Sequence, residues 1–336
     1  MFCDEVDEFE FIEVCGETDI DNDYEKELLE EFKAVTALVQ AVVDGSELLF
    51  FAQSLRRGAL GFKATPTGRQ LVEALQAGIE RFAECFPLCS LNPYVELLFR
   101  CAERIEQSML FHYVMTAFPH ETPQHLAIMN GLVADMRQEA AQPSFKAILK
   151  RFDKAARERT ASLGSYIDAH FAKRSRLVVL RVDLSYEMDF FRGSDLQESL
   201  KGVKRDWARL RHDLTKGVPI PGLLGYACKL EYAHRSGFHF HLLVFYSGAK
   251  YWRDSVLARL IGERWRHVVT EGRGRYFNCN AKKHRYKYPG IGVVNRSDTV
   301  LIENLKQHVT EYLTKVDYWL RLPFACGRSF FRGVMP

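Results

Sequence analysis

The segment Phe238-His239-Phe240-His241-Leu242-Leu243-Val244-Phe245 has the clearest chemical potential in this 336-residue chain. Alternate residues of a β-strand share a face, so His239 and His241 point one way, with Leu243 and Phe245 beyond them. Phe238, Phe240, Leu242 and Val244 point the other way. A strand apolar on both faces belongs in the middle of a sheet. One histidine there would be an ordinary core residue; a pair two residues apart points to a bound metal. A third ligand is expected from the adjacent strand, where Glu231 stands in Lys229-Leu230-Glu231-Tyr232. A turn with an odd number of residues sets Glu231 opposite His239, whereas a two-residue turn flips the register and offers His234. Glu231 is the preferred ligand, because two imidazoles and one carboxylate leave coordination positions for a phosphate oxygen. Zinc suits this donor set more obviously than Mg²⁺ or Mn²⁺, so ligand type alone does not fix the metal.

A second group lies near the C-terminus. Leu301, Leu305, Val309, Tyr312 and Val316 form one stripe of a helix expected over about 299–320. Lys315 follows Tyr312 by three residues, close to the same face, which is an unusual place for an ammonium group in a stripe that covers a sheet. A tyrosine hydroxyl is a nucleophile able to form a covalent phosphotyrosine. Its ordinary pKa of about 10 keeps it protonated at neutral pH, so Lys315 or a metal would have to favour loss of the proton. A metal on His239, His241 and Glu231 would polarise a phosphodiester for in-line displacement.

The elements that must position these groups follow from periodicity. Residues 177–186 are a β-branched run and read as a strand; residues 195–214 read as an amphipathic helix. Strands are expected at Gly225–Tyr232 and Phe238–Phe245, a helix at 252–266, a basic aromatic loop at about 271–288 and a short strand at 290–294. The order is β-α-β-β-α-β plus an extra helix, which makes a ferredoxin-like or RRM-like sheet with helices on one face. The last helix is free to cover the other face. From Glu25 to about Arg176 the apolar spacing is helical, with helix starts at Pro66-Thr67, Asn92-Pro93 and Gln142-Pro143. The fold class is therefore α+β: an acidic tail at 1–24, a helical domain at 25–175 and a chemistry-bearing domain at 176–336.

Charge supports this division. Residues 1–31 carry a net −13, residues 32–170 a net +1 and residues 171–336 a net +15, which together give the overall +3. The basic third is where a polyanion would sit. In the loop, Arg273, Arg275, Lys282, Lys283, Arg285 and Lys287 are interleaved with Tyr276, Phe277, Tyr286 and Tyr288. Cations for phosphates and rings for unpaired bases are the recipe for single-stranded nucleic acid. The acidic tail is expected to compete with DNA for this domain. No apolar run approaches the roughly 18–20 residues of a membrane span, and the N-terminus does not read as a secretory signal. The eight cysteines form no CxxC pair and read as reduced thiols of a cytoplasmic protein.

The combination of His239-Phe240-His241 with Tyr312-x-x-Lys315 resembles the HUH endonuclease superfamily. More narrowly, Leu177 to Gly333 is similar to the inovirus-type replication initiation proteins and their YagK/YfjJ-like prophage family. The matching pieces are Leu180-Arg181-Val182-Asp183-Leu184, Tyr276-Phe277-Asn278-Cys279-Asn280, Tyr288-Pro289-Gly290-Ile291-Gly292, Tyr312-Leu313-Thr314-Lys315 and Gly327-Arg328-Ser329-Phe330. Asn92-Pro93-Tyr94 adds a weaker match. The resemblance implies a site-specific nicking-joining endonuclease that uses Mg²⁺ or Mn²⁺ and forms a 5′-phosphotyrosine at Tyr312. It also implies a free 3′-OH that primes rolling-circle replication of a phage, prophage or mobile element. The implied partners are single-stranded or hairpin origin DNA and a host helicase or polymerase. Tyr318 is too far round the helix from Tyr312 to act as a second nucleophile, so a single-tyrosine enzyme is expected. A mobilisation relaxase shares this chemistry. A non-catalytic DNA-binding regulator, or a purely structural metal, would use the same residues differently.

Overall fold

The computed structural model describes residues 18–54, 60–77, 90–104, 122–187, 195–233, 237–309, 320–321 and 328–336. The first half of the chain is mainly helical. Helix α1 spans Thr18–Asp44, α2 Pro66–Gln76, α3 Pro93–Ala102, α4 Thr122–Ala141 and α5 Pro143–Lys173. Two of the helix starts show why the sequence stops and starts there. The Thr65 hydroxyl accepts from the Gly68 amide at 3.0 Å, and the Asn92 side chain accepts from the Tyr94 amide at 3.0 Å. Each cap is followed by a proline whose missing N–H costs nothing at that position. Phe32, Val39 and Val42 of α1 meet Leu71, Val95, Leu98 and Met136 in one core.

The helical reading of this half misses a hairpin. Strands β1 (Phe50–Ser54) and β2 (Leu60–Ala64) pair antiparallel, with Phe50 opposite Ala64, and the Phe50 and Phe62 rings stack at 5.5 Å. Aromatic side chains at these positions favour the pleated surface over a helix face. A two-residue strand, β3 (Ser90–Leu91), follows α2.

The second half is built on one antiparallel sheet. Strand β4 (Arg176–Tyr186) is followed by α6 (Leu196–Thr215), β5 (Gly225–Ala233), β6 (Gly237–Ser247) and α7 (Asp254–Glu263), which continues as a π-helical turn to Val269. Next come β7 (Gly274–Asn278), β8 (Gly292–Asn295) and α8 (Thr299–Asn304), again extended by a π-helical turn to Val309. Two short strands, β9 (Leu320–Arg321) and β10 (Phe330–Arg332), complete the chain. The sheet order is β10-β5-β6-β4-β7, with β8 also paired to β4. Every pairing is antiparallel. The molecule is thus a mixed α+β protein with antiparallel sheets.

Two boundaries differ from expectation. The segment expected as a loop at 271–288 contains β7, an edge strand pairing Phe277 with Asp183 and Tyr276 with Leu184. Its alternation of basic and aromatic residues satisfies the two faces of a strand as well as it would a loop. The final helix does not reach residue 320, because Leu320 and Arg321 pair with Leu91 and Ser90 of β3.

The sheet has two unlike faces. Val178, Leu180, Val182 and Leu184 of β4 look toward α6 and α7, where Trp207, Leu210, Ile261 and Trp265 fill the core. Leu177, Val179, Leu243 and Phe245 look the other way. The last three turns of α5 (Leu163, Tyr166, Ile167, Phe171) and Leu305 cover them. Helix α5 therefore serves both cores, since Phe145 near its start belongs to the helical one. Gly225 makes this docking possible: a Cβ there would lie 2.3 Å from the Tyr166 hydroxyl and 2.4 Å from His170 Nε2. Among the described residues, no helix is long and apolar enough to cross a membrane.

Candidate metal centre

The β5–β6 register decides which residues can meet. Ala233 pairs with Gly237, so the connection has three residues, an odd number, and Glu231 stands opposite His239. The next row on the same face joins Lys229, His241, Asp183 and Phe277 across β5, β6, β4 and β7. The apolar cover from α5 ends at Leu243, and the histidines continue the face beyond it.

There the three expected ligands converge. Glu231 Oε2 lies 3.4 Å from His239 Nε2 and 3.3 Å from His241 Nε2. One ligand atom from each residue falls within 4.8 Å of the others, a spacing that could hold a metal ion. The imidazole rings are 5.0 Å apart and nearly perpendicular. His239 is set by Nδ1, 3.1 Å from the Gly237 carbonyl, which leaves Nε2 turned toward Glu231. The other oxygen of Glu231, Oε1, is buried with no hydrogen-bond partner among the described residues. A buried carboxylate oxygen without a donor is costly, and a cation would satisfy it. Two imidazole nitrogens and one carboxylate fit a divalent metal with open positions.

Electrostatics around the triad are strongly coupled. Burial would raise the Glu231 pKa, but the two imidazoles hold the carboxyl well below its usual range. Burial would likewise lower the His241 pKa, yet the Asp183 and Glu231 carboxylates lift it to about 9. The two carboxylates thus favour the protonated, positively charged form of His241.

Sequence reasoning did not single out Asp183 as a site residue. Its Oδ1 lies 2.9 Å from His241 Nδ1, so Nδ1–H donates outward and Nε2 faces Glu231. Arg181 in turn grips Asp183, with Nη2 to Oδ2 at 3.0 Å and Nε to Oδ1 at 3.3 Å. The Cys279 thiol lies 3.5 Å from Asp183 Oδ2. Despite burial, Arg181 and His241 keep the Asp183 carboxyl well below its ordinary range. A carboxylate behind a metal-binding imidazole fixes its tautomer and orientation. The signal was present in the strand itself: Arg181, Asp183 and Ser185 interrupt the apolar face begun by Leu177 and Val179.

The other site residues expected from the sequence divide. Tyr312 and Lys315 lie outside the described residues, as does His234. The helix start that leads toward Tyr312 does lie on the histidine-bearing side, through Leu301, Ile302 and Leu305. Of the basic group, Arg285 and Lys287 are exposed, and Lys287 Nζ sits 5.2 Å from the Tyr288 ring centroid. Arg273 is exposed, with Nε donating to the Thr270 carbonyl at 2.8 Å. Arg275 and Lys282 are half-buried; the register sets Arg275 opposite Ser185, on the metal face. Lys283 instead pairs with Asp254 at 2.8 Å, and Asp254 also accepts from Asn280 at 2.9 Å. Tyr276 is turned inward against Gly262, with its hydroxyl donating to Glu263 at 2.6 Å.

Comparison of the chain with protein-family models, with curated proteins and with solved structures finds no match.

Proposed function

We propose that the chain is a metal-assisted, single-tyrosine DNA nicking-joining endonuclease of the HUH kind, initiating rolling-circle replication of a phage, prophage or mobile element. The observation that carries this reading is the convergence of Glu231, His239 and His241 on adjacent central strands, with their ligand atoms within 4.8 Å. The strand order supports it. Numbering the strands of the β-α-β-β-α-β unit in sequence, the fourth pairs with the first, the first with the third and the third with the second. That is the split β-α-β order of a ferredoxin-like sheet.

In this reading the Tyr312 hydroxyl attacks the phosphorus of one phosphodiester. The bond to the 3′ oxygen breaks, that oxygen leaves as a 3′-OH after taking a proton, and the 5′ phosphate stays on tyrosine. Attack of a 3′-OH on the phosphotyrosine reverses the step and rejoins the strand. A divalent ion held by Glu231, His239 and His241 would neutralise charge on the non-bridging phosphate oxygens. Asp183 keeps His241 in the tautomer whose Nε2 faces the site. Lys315 favours the phenolate, and Arg285 and Lys287 hold backbone phosphates.

The test is incubation of the full chain with an end-labelled pool of single-stranded hairpins and Mn²⁺. A covalent protein–DNA adduct should form, and should vanish with EDTA and in Tyr312→Phe. Binding without any adduct would leave a DNA-binding regulator in its place.

A further inference from the structure

Strand β7 carries an arginine on the metal face, at a position the sequence assigns to a loop. Arg275 pairs with Ser185 of β4. Phe277, two residues on, packs on the histidine side of the sheet, whereas Tyr276 packs on the other. Alternation therefore sets Arg275 on the side of Phe277, Asp183 and the histidines. Asp183 pairs with His241 and Leu184 with Phe240, so continuing that register by one residue brings Ser185 opposite His239. Glu231, His239, Ser185 and Arg275 thus form one row across four strands. At a strand spacing of about 4.8 Å, the Arg275 backbone lies roughly 10 Å from that of His239.

The two members of the row beyond the metal ligands are donors. Arg275 and Ser185 are half-buried, and neither side chain forms a hydrogen bond or ion pair among the described residues. Other cations nearby are engaged: Arg181 holds Asp183, Lys283 holds Asp254 and Arg273 donates to the Thr270 carbonyl. A half-buried guanidinium without a carboxylate is costly unless an anion meets it. We propose that Arg275, with the Ser185 hydroxyl, grips one phosphate group together with a divalent ion on Glu231, His239 and His241. One phosphate oxygen takes an open position on the ion, and the guanidinium fork donates to two others, the geometry that suits phosphate. An extended arginine and a single phosphate together fill the gap between β7 and the triad. Arg285 and Lys287, exposed beyond this row, are left to hold neighbouring phosphates. The inference rests on the metal centre proposed above and not on the tyrosine chemistry.

Methyl phosphate tests this with the full chain loaded with Mn²⁺, because protein-bound Mn²⁺ broadens the phosphorus NMR resonance of a phosphate that ligates it. Titrating the broadening gives the phosphate affinity, and electron paramagnetic resonance of Mn²⁺ gives the metal affinity separately. Arg275→Ala should weaken methyl phosphate binding about 10–100-fold and leave Mn²⁺ affinity unchanged. Arg275→Lys, which keeps the charge but loses the fork, should recover only part of the loss. Arg205→Ala removes the same charge from an exposed position on α6, across the sheet from the histidines, and should bind methyl phosphate as wild type does. Wild-type affinity in Arg275→Ala, or equal weakening in Arg275→Ala and Arg205→Ala, would overturn the proposal. So would loss of Mn²⁺ together with phosphate in Arg275→Ala, which would make Arg275 a support of the metal ligands. A wild-type chain that binds no Mn²⁺ would remove the metal centre and the proposal with it. If phosphate binds as expected but the hairpins give no adduct, the nicking chemistry falls and this site stands.

Discussion

His241 Nδ1 and Asp183 Oδ1 lie 2.9 Å apart across the β4–β6 pairing, fifty-eight residues apart in sequence. Because Arg181 holds Asp183 from behind, the imidazole can neither rotate nor change tautomer without breaking a charged hydrogen bond. Asp183 thus orients His241, one of the three candidate metal ligands. Asp183→Asn should fold, since it preserves shape and an acceptor, but should lower divalent-metal affinity about 10–100-fold. Isothermal titration with Mn²⁺ or Zn²⁺ reads this directly, and Asp183→Glu should recover part of the loss. Wild-type affinity in the Asn variant would reduce Asp183 to a packing role.

A metal that binds the folded chain alone must also stabilise it. At a hundredfold excess over Kd the gain is about 2.7 kcal/mol, enough to raise Tm by a few degrees. The wild-type chain should show that rise with Mn²⁺ or Zn²⁺ and lose it with EDTA. His239→Ala and Glu231→Gln should melt at the same temperature with and without metal. A rise that persists in both variants would place the ion elsewhere.

The basic residues should separate by what they touch. Lys283 compensates Asp254, which is only 7 % exposed, whereas Arg285 makes no ion pair among the described residues. Lys283→Ala should lower Tm while leaving the salt dependence of single-strand DNA binding unchanged. Arg285→Ala should leave Tm unchanged and reduce the slope of log K against log salt by about 1. Interchanged results would mean that Lys283 leaves Asp254 when DNA binds.

These contrasts show which parts of the site were legible in the chain. Alternation placed His239 and His241 on one face, an inference that uses only the local period of a strand. Glu231 was preferred to His234 for its donor chemistry while the turn length stayed open, and the three-residue connection is what sets it opposite His239. Asp183 escaped because its partner is set by a pairing between distant strands. The inward turn of Tyr276 escaped for a similar reason: Gly262, which makes room for its ring, belongs to the helix before it. The role of α5 was equally hidden. Its 3.6-residue period is continuous from Phe145 to Phe171, and nothing in that period marks where the helix leaves one core for the other. The hairpin at 50–64 was masked by an apolar run equally compatible with a helix.

The α5–sheet contact also makes stability depend on pH. His170 is 2 % exposed, stacked on Phe245 at 5.0 Å and edge-on to Tyr166 at 4.6 Å. Burial, reinforced by Arg174 and Lys173 on its own helix, lowers its pKa to about 4. It lies beside Tyr166 of its own helix, over whose ring the Arg332 guanidinium sits at 5.3 Å, and across the contact it faces the Gly225 backbone; among the described residues no carboxylate contributes to its shift. The folded chain therefore binds this proton less readily than the unfolded chain, whose histidine titrates near about 6.5. The stabilisation is present above that value and is lost as pH falls from about 6.5 toward 4. Between pH 6.5 and 5 the loss should be about 1.5 kcal/mol. His170→Phe keeps the ring and removes the titration, so its stability should fall less over that interval by this amount. Comparing the two chains cancels contributions from His241, Asp183 and Glu231, which both retain. Urea melts at the two pH values give the difference, and parallel curves for wild type and variant would show that His170 is protonated without cost.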